Sequence, residues 1–141
     1  MFTNRLLNTI HLIYDVEHMK SAPSIGQFEQ IVMAAVLRCG RDAYGVTIHE
    51  AVERLSAPKS VALGAVYATL DRLEDKGLVS SWLSDPTPER GGRSKRHYQL
   101  EQDGKRALRE SVLAARRICD AVAEVWGTEE GLGRWKPVRQ K

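Results

Sequence analysis

A chain of 141 residues with 43% hydrophobic content suits one core, or one core plus an oligomerisation appendage, and 6% aromatic content leaves Leu, Val, Ala and Ile to build it. The net charge is only +3, but residues 85–96 hold Arg90, Arg93, Lys95 and Arg96 against Asp85 and Glu89. Residues 134–141 hold four cations and no anion, which leaves the rest of the chain at −3; two basic patches on a slightly acidic body suit a polyanionic partner better than diffuse basicity would, and charge alone equally allows a solvated loop and a frayed tail.

Residues 3–19 predict a helix. Leu6, Leu7, Ile10, Ile13, Tyr14 and Val16 crowd one side, Thr3 or Asn4 can cap it, and Ser21-Ala22-Pro23-Ser24 breaks the pattern. This segment either packs on the body or hangs from it. Residues 27–39 predict the next helix, with Phe28, Ile31, Val32, Ala35 and Val36 as its core stripe and Gly40 as its stop. After the Tyr44-Gly45 turn, Thr47 and Glu50 read as a capping box for a helix that buries Ile48, Val52 and Leu55 and ends before Ala57-Pro58.

Ser60 is the expected cap of a further helix, Val61–Lys76, with Leu63, Val66, Leu70 and Leu73 inward and Gly77 as its end. Two short strands follow, Leu78–Leu83 and Lys95–Leu100, joined by a Pro- and Gly-rich tip. From Asp103 to Trp126 one long helix carries Leu108, Val112, Ala115, Cys119, Val122 and Trp126 at spacings of 4, 3, 4, 3 and 4. A heptad seam that regular predicts pairing with a second helix, so a homodimer is expected, with packing on the chain's own core as the other reading. Residues 128–141 read as a flexible basic tail.

The fold class is therefore mainly α with a small β-hairpin: a winged helix-turn-helix domain plus a long C-terminal dimerisation helix. The expected divisions are an N-terminal helical extension over residues 1–24, the winged domain over 25–101, the dimerisation helix over 102–127, and the tail.

The helix over 61–76 is about the right size for a major groove. Its expected DNA-facing residues are Ala65, Ala68 and the Thr69 methyl for thymine methyls, Tyr67 for a phosphate or base edge, and Lys59, Ser60 and Arg72 toward its ends. Tyr67 has a second reading, with its ring in the core and only the hydroxyl emerging. In the wing, Arg90, Gly91, Gly92, Arg93, Lys95 and Arg96 contain no anion, and the glycines let the tip follow a groove edge. A winged module that uses the same surface on an acidic protein is the alternative.

Catalytic and metal readings fail on spacing. His11, His18, His49 and His97 are scattered, Ser111 has no evident base, and Gly91-Gly92 lacks the Gly-Lys-Ser/Thr of a phosphate loop. No cofactor is expected. Cys39 and Cys119 sit alone in apolar helical patterns and read as small buried hydrophobes, with neither a disulfide nor a metal. No apolar run approaches the ~18 residues of a membrane span, and Asn8, Thr9 and His11 interrupt any signal-like run. The expected location is the cytoplasm.

Five segments share an order and spacing with a known family. They are Gly26-Gln27-Phe28-Glu29-Gln30, Tyr44-Gly45-Val46-Thr47-Ile48, Gly64-Ala65-Val66-Tyr67-Ala68-Thr69-Leu70-Asp71-Arg72-Leu73-Glu74, Lys76-Gly77-Leu78-Val79, and Arg90 to Tyr98. Over roughly Ile25 to Trp126 the chain resembles the PadR-like family of bacterial transcriptional regulators. The resemblance implies a homodimeric repressor on a palindromic double-stranded DNA operator. It further implies Tyr67 as the recognition-helix tyrosine, Arg90 to Arg96 as the basic wing and the C-terminal helix as the dimerisation arm. Members commonly respond to small hydrophobic effectors held near the dimer interface, so the resemblance leaves room for one here. Two features depart from the family pattern: residues 1–24 precede its usual start, and Leu63 stands where many relatives have proline.

Overall fold

The computed structural model describes residues 22–85 and 93–127. The expected N-terminal helix, the wing-tip residues Arg90, Gly91 and Gly92, and the basic tail lie outside the described residues. Helix α1 spans Gln27–Cys39, a 3-10 turn spans Gly40–Asp42, α2 spans Gly45–Ser56 and α3 spans Leu63–Asp75. Strands β1 (Val79–Leu83) and β2 (Arg96–Leu100) form an antiparallel hairpin in which Val79 faces Leu100 and Leu83 faces Arg96. Helix α4 closes the described chain at Gln102–Trp126.

The core forms where the apolar stripes of these elements converge. Val32, Met33, Ala35 and Val36 of α1 meet Ile48, Ala51 and Val52 of α2 and Val66, Leu70 and Leu73 of α3. Leu78, Val79, Tyr98 and Leu100 close the hairpin side, and Ala107 and Leu108 bring in the start of α4. Most of the predicted stripes hold because the helical period puts those residues on one face. The exceptions lie at helix ends. Leu55 and Leu63 were expected inside but are 45% and 40% exposed, since α2 and α3 diverge into the loop between them. Phe28 and Ile31, in the first turns of α1, only border the core.

Two helix starts also differ from the expected caps. Helix α2 begins at Gly45 with Tyr44 as N-cap, so Thr47 sits inside the first turn. The Thr47 hydroxyl still serves that end, accepting from the Tyr44 N–H at 3.1 Å, with its single proton directed to the backbone carbonyl of Asp42 or of Tyr44. Helix α3 starts at Leu63, two residues after the expected Val61, because both backbone polar groups of Val61 bond to side chains of α2.

The hairpin and α4 are locked to each other through Leu78. The Leu78 carbonyl accepts from the Glu101 N–H at 2.9 Å. A Cβ on Gly104 would lie 2.0 Å from the same carbonyl oxygen, so only glycine lets the first turn of α4 approach this closely. Cys39 and Cys119 are free and half-buried rather than fully buried. The Cys39 thiol is pushed up by burial, against the hydrogen bond it shares with Thr47.

The start of α1 is tied to the end of α3 by Lys76, whose Nζ lies 2.7 Å from Glu29 Oε1, and Glu29 also accepts from the Gly26 N–H at 2.9 Å. Burial pushes the Glu29 carboxyl up, but those two bonds and the nearby Lys76 and Arg72 charges outweigh it and hold the group below its ordinary 4.5. A depressed carboxyl contributes stability above its unfolded value and loses it as pH falls through the folded one. Glu29→Gln should therefore cost roughly 0.5–1 kcal/mol near neutrality. That difference from wild type should vanish in urea titrations carried out well below the ordinary carboxylate value; a difference constant with pH would refute the assignment.

Candidate nucleic-acid interface

Helix α3 turns one face outward because its buried arc is narrow: Val66, Thr69, Leu70 and Leu73 point inward. Gly64, Ala65, Ala68, Asp71, Arg72 and Asp75 stand exposed on the opposite arc, and Tyr67 flanks it at 39% exposed. Ala65, Tyr67, Ala68 and Arg72 are thus on the expected face, and Lys59 and Ser60 are exposed in the loop before it.

Thr69 is not on that face. It is 1% exposed, and its hydroxyl donates to the Ala65 carbonyl at 2.9 Å, which satisfies the group inside the helix and allows a polar residue in the buried stripe. The same oxygen accepts from Arg72 at 3.0 Å. Thr69 therefore steadies an arginine that reaches the surface, and its methyl meets no partner there.

Tyr67 is 39% exposed, so its ring is not in the core as the second of its expected readings has it. Its phenol end lies against the first residue of α2: a Cβ on Gly45 would come within 1.8 Å of the Tyr67 hydroxyl oxygen and 2.4 Å of Cζ. The ring crosses the N-terminus of α2 with one side still exposed, and the absence of a side chain at Gly45 makes room for it. Because Tyr67 is the movable partner, Gly45→Ala should leave the melting temperature nearly unchanged while weakening operator binding several-fold. Unchanged affinity in a gel shift would show that the placement of Tyr67 is unimportant.

Beside the buried Gly45, Tyr44 leads toward the wing. Tyr44 bridges to His97 across the sheet, and the Tyr98 N–H donates to the Ala43 carbonyl at 2.8 Å, so a single residue extends the hairpin sideways. His97 lies between two rings, stacked on Trp82 at 5.5 Å and edge-on to Tyr44 at 5.8 Å. Lys95 Nζ sits 3.7 Å over the Tyr44 ring. Lys95, Tyr44, Gly45 and Tyr67 thus form a continuous path from wing to α3.

The wing cations differ in their engagement. Arg93 is exposed. Arg96 turns back, its Nε donating to Ser81 Oγ at 2.9 Å and a terminal nitrogen 4.0 Å from Glu74 Oε2. Tyr44, Trp82, Ser81 and Glu74 carry no site role on sequence grounds. No local signal marks such a role, since each acts through a partner on another element. Among the described residues no cluster of His, Cys, Asp or Glu could hold a metal ion. No helix among them is long and apolar enough to cross a membrane.

On α4 the seam divides. Leu108 is 7% exposed and belongs to the core of the winged domain. Val112 and Trp126 are 56% and 61% exposed, Ala115 is exposed, and Cys119 and Val122 are half-buried. Ile118 and Val125, absent from the seam, add exposed apolar surface beside it.

A model of the transcriptional regulator PadR-like family matches residues 33–110, more than half of the chain, from α1 through the hairpin into α4. The chain belongs to the PadR-like family. This PadR-like protein is accordingly a DNA-binding transcriptional regulator and not an enzyme. A PadR family regulator of Clostridium difficile is similar in structure, with 26% identity, a TM-score of 0.59, and coverage of 71% of this chain and 98% of that one. A PadR family regulator of Eggerthella lenta has 20% identity and a TM-score of 0.55, covering 89% and 99% of the two chains. The fold is also shared with BpsR of Bordetella bronchiseptica, whose DNA binding is regulated by 6-hydroxynicotinic acid, at 17% identity, a TM-score of 0.53 and coverage of 97% and 89%. No curated protein matches the sequence.

Proposed function

We propose that this regulator is a homodimeric, cytoplasmic repressor that reads a palindromic operator with two copies of α3 and grips the flanking backbone with two wings. The observation that carries the reading is the run of neighbouring side chains from the exposed face of α3 to the base of the wing: Tyr67, which lies over the buried Gly45, then Tyr44 and Lys95. Small side chains at Ala65 and Ala68 allow the helix backbone close to base edges, while Arg72 and the wing supply charge. Two-fold symmetry then places half-sites about 34 Å apart, or a multiple of that. The exposed apolar strip of α4 supports the dimer. A cleft of about 430 Å³ between α1, the hairpin and α4, lined in part by Leu37, Trp82 and Lys105, offers a seat for a small hydrophobic effector.

The test begins with selection of bound duplexes from a random pool, which yields the operator. Replacing Arg90 and Arg93 by Ala should then weaken binding to every sequence and lower the salt slope by about 1.8, two phosphate contacts' worth. An unchanged slope and affinity would remove the wing from the interface, and failure of any duplex to be enriched would favour an acidic protein partner.

A further inference from the structure

The structure assigns His49 and Glu53 as positioning residues that set where the reading helix begins. Both lie on one face of α2, and their side chains are 27% and 36% exposed. Glu53 Oε1 accepts from the Val61 N–H, and His49 Nε2 lies 2.7 Å from the Val61 carbonyl oxygen. A carbonyl only accepts, so Nε2 carries the proton in that contact. His49 and Glu53 themselves are 3.6 Å apart. An i,i+4 pair of this kind would ordinarily read as local support for its own helix. Here both members reach across to the same residue of the following loop, and together they hold both polar groups of one backbone unit.

The location gives the clamp its consequence. Val61 directly precedes Ala62, the N-cap of α3, and the first bonds of that helix run from Ala65 and Val66 back to the Ala62 carbonyl. The first turn of α3 has little packing to hold it: Leu63 is 40% exposed, and Gly64 and Ala65 are exposed. Val66 is the first buried residue of the helix. Packing therefore fixes the far half of α3 against the core, and the near half, which carries Ala65 and adjoins Lys59 and Ser60, is held by the clamp together with the half-buried Val61 side chain. Without the clamp the near end can pivot about the Val66, Leu70 and Leu73 anchor. The clamp thus governs sequence reading more than total affinity, a role that rests on α3 being the reading helix.

Charge makes the test directional. Deleting an anion near DNA raises affinity by electrostatics alone, whereas loss of the clamp lowers operator affinity. Full-length variants are titrated against the selected operator and a scrambled duplex of equal length. Glu53→Ala should reduce the operator-to-scrambled ratio about ten-fold, the worth of one well-made base contact. Scrambled-duplex affinity should be equal or higher. Glu53→Gln retains the acceptor and should keep the ratio near that of wild type, and His49→Gln, which retains a donor, should lose less than His49→Ala. If Glu53→Ala does not fold, His49→Ala, which removes only the carbonyl contact, carries the measurement. Ratios unchanged in both alanine variants, or an equal fall in Glu53→Gln and Glu53→Ala, overturn the clamp. Ala68→Glu separates the two levels. If it too leaves operator binding intact, α3 is not the reading helix; if it abolishes binding while the clamp variants do not, only the clamp is wrong.

Discussion

Leu108→Glu is expected to unfold the protomer and not merely to separate a dimer. Leu108 begins the heptad seam, and on spacing alone its replacement would be the natural way to make a monomer. In the structure it is 7% exposed within the core shared by α1, α3 and the hairpin. The substitution loses the burial of a leucine, about 1.5–3 kcal/mol, and forces a carboxylate among the apolar side chains of the core. Together these approach the whole stability of an ordinary domain, roughly 5–15 kcal/mol. Circular dichroism should show either no cooperative melt or a melting temperature lower by at least ~10 °C. A folded variant with wild-type melting would mean that Leu108 is not a core residue.

Val112→Asp combined with Ile118→Asp should do what Leu108→Glu cannot. Both residues are exposed, at 56% and 66%, Val112 within the seam and Ile118 beside it, and both lie beyond the core. Charges there cost the isolated fold little, but in a helix pair they would be buried against apolar partners. Sedimentation should give a folded monomer. Operator affinity should fall by ~100-fold or more, because a second half-site bound through a dimer gains the effective concentration of a tethered partner. A double variant that remains dimeric would move the interface off this face of α4.

These two outcomes differ for neighbouring positions of one repeat, and the difference explains how far a sequence of this kind can be read. A heptad pattern reports that a face is apolar; it does not report what covers that face. The first seam position lands where α4 crosses its own core, and later positions lie past the end of it. Thr69 teaches the same lesson in reverse. A polar residue reads as exposed until a carbonyl four residues back satisfies its hydroxyl, after which burial costs little.

What the sequence by itself determined is the set of elements and their order. Apolar residues at a helical period define α1 to α4, alternation defines the two strands, and Gly77 ends the helix before the hairpin, because each of these signals is local to a turn or two of chain. The cation-rich wing and the small-residue face of α3 were legible for the same reason. The tertiary structure alone decided where α3 begins, where Tyr67 rests and which half of the seam remains available. Those outcomes depend on groups distant in sequence: His49 and Glu53 on Val61, the bare backbone of Gly45 beneath Tyr67, and the core that claims Leu108. A hydrogen bond or a close approach between separate elements leaves no periodicity behind it, so only their meeting in space reveals it.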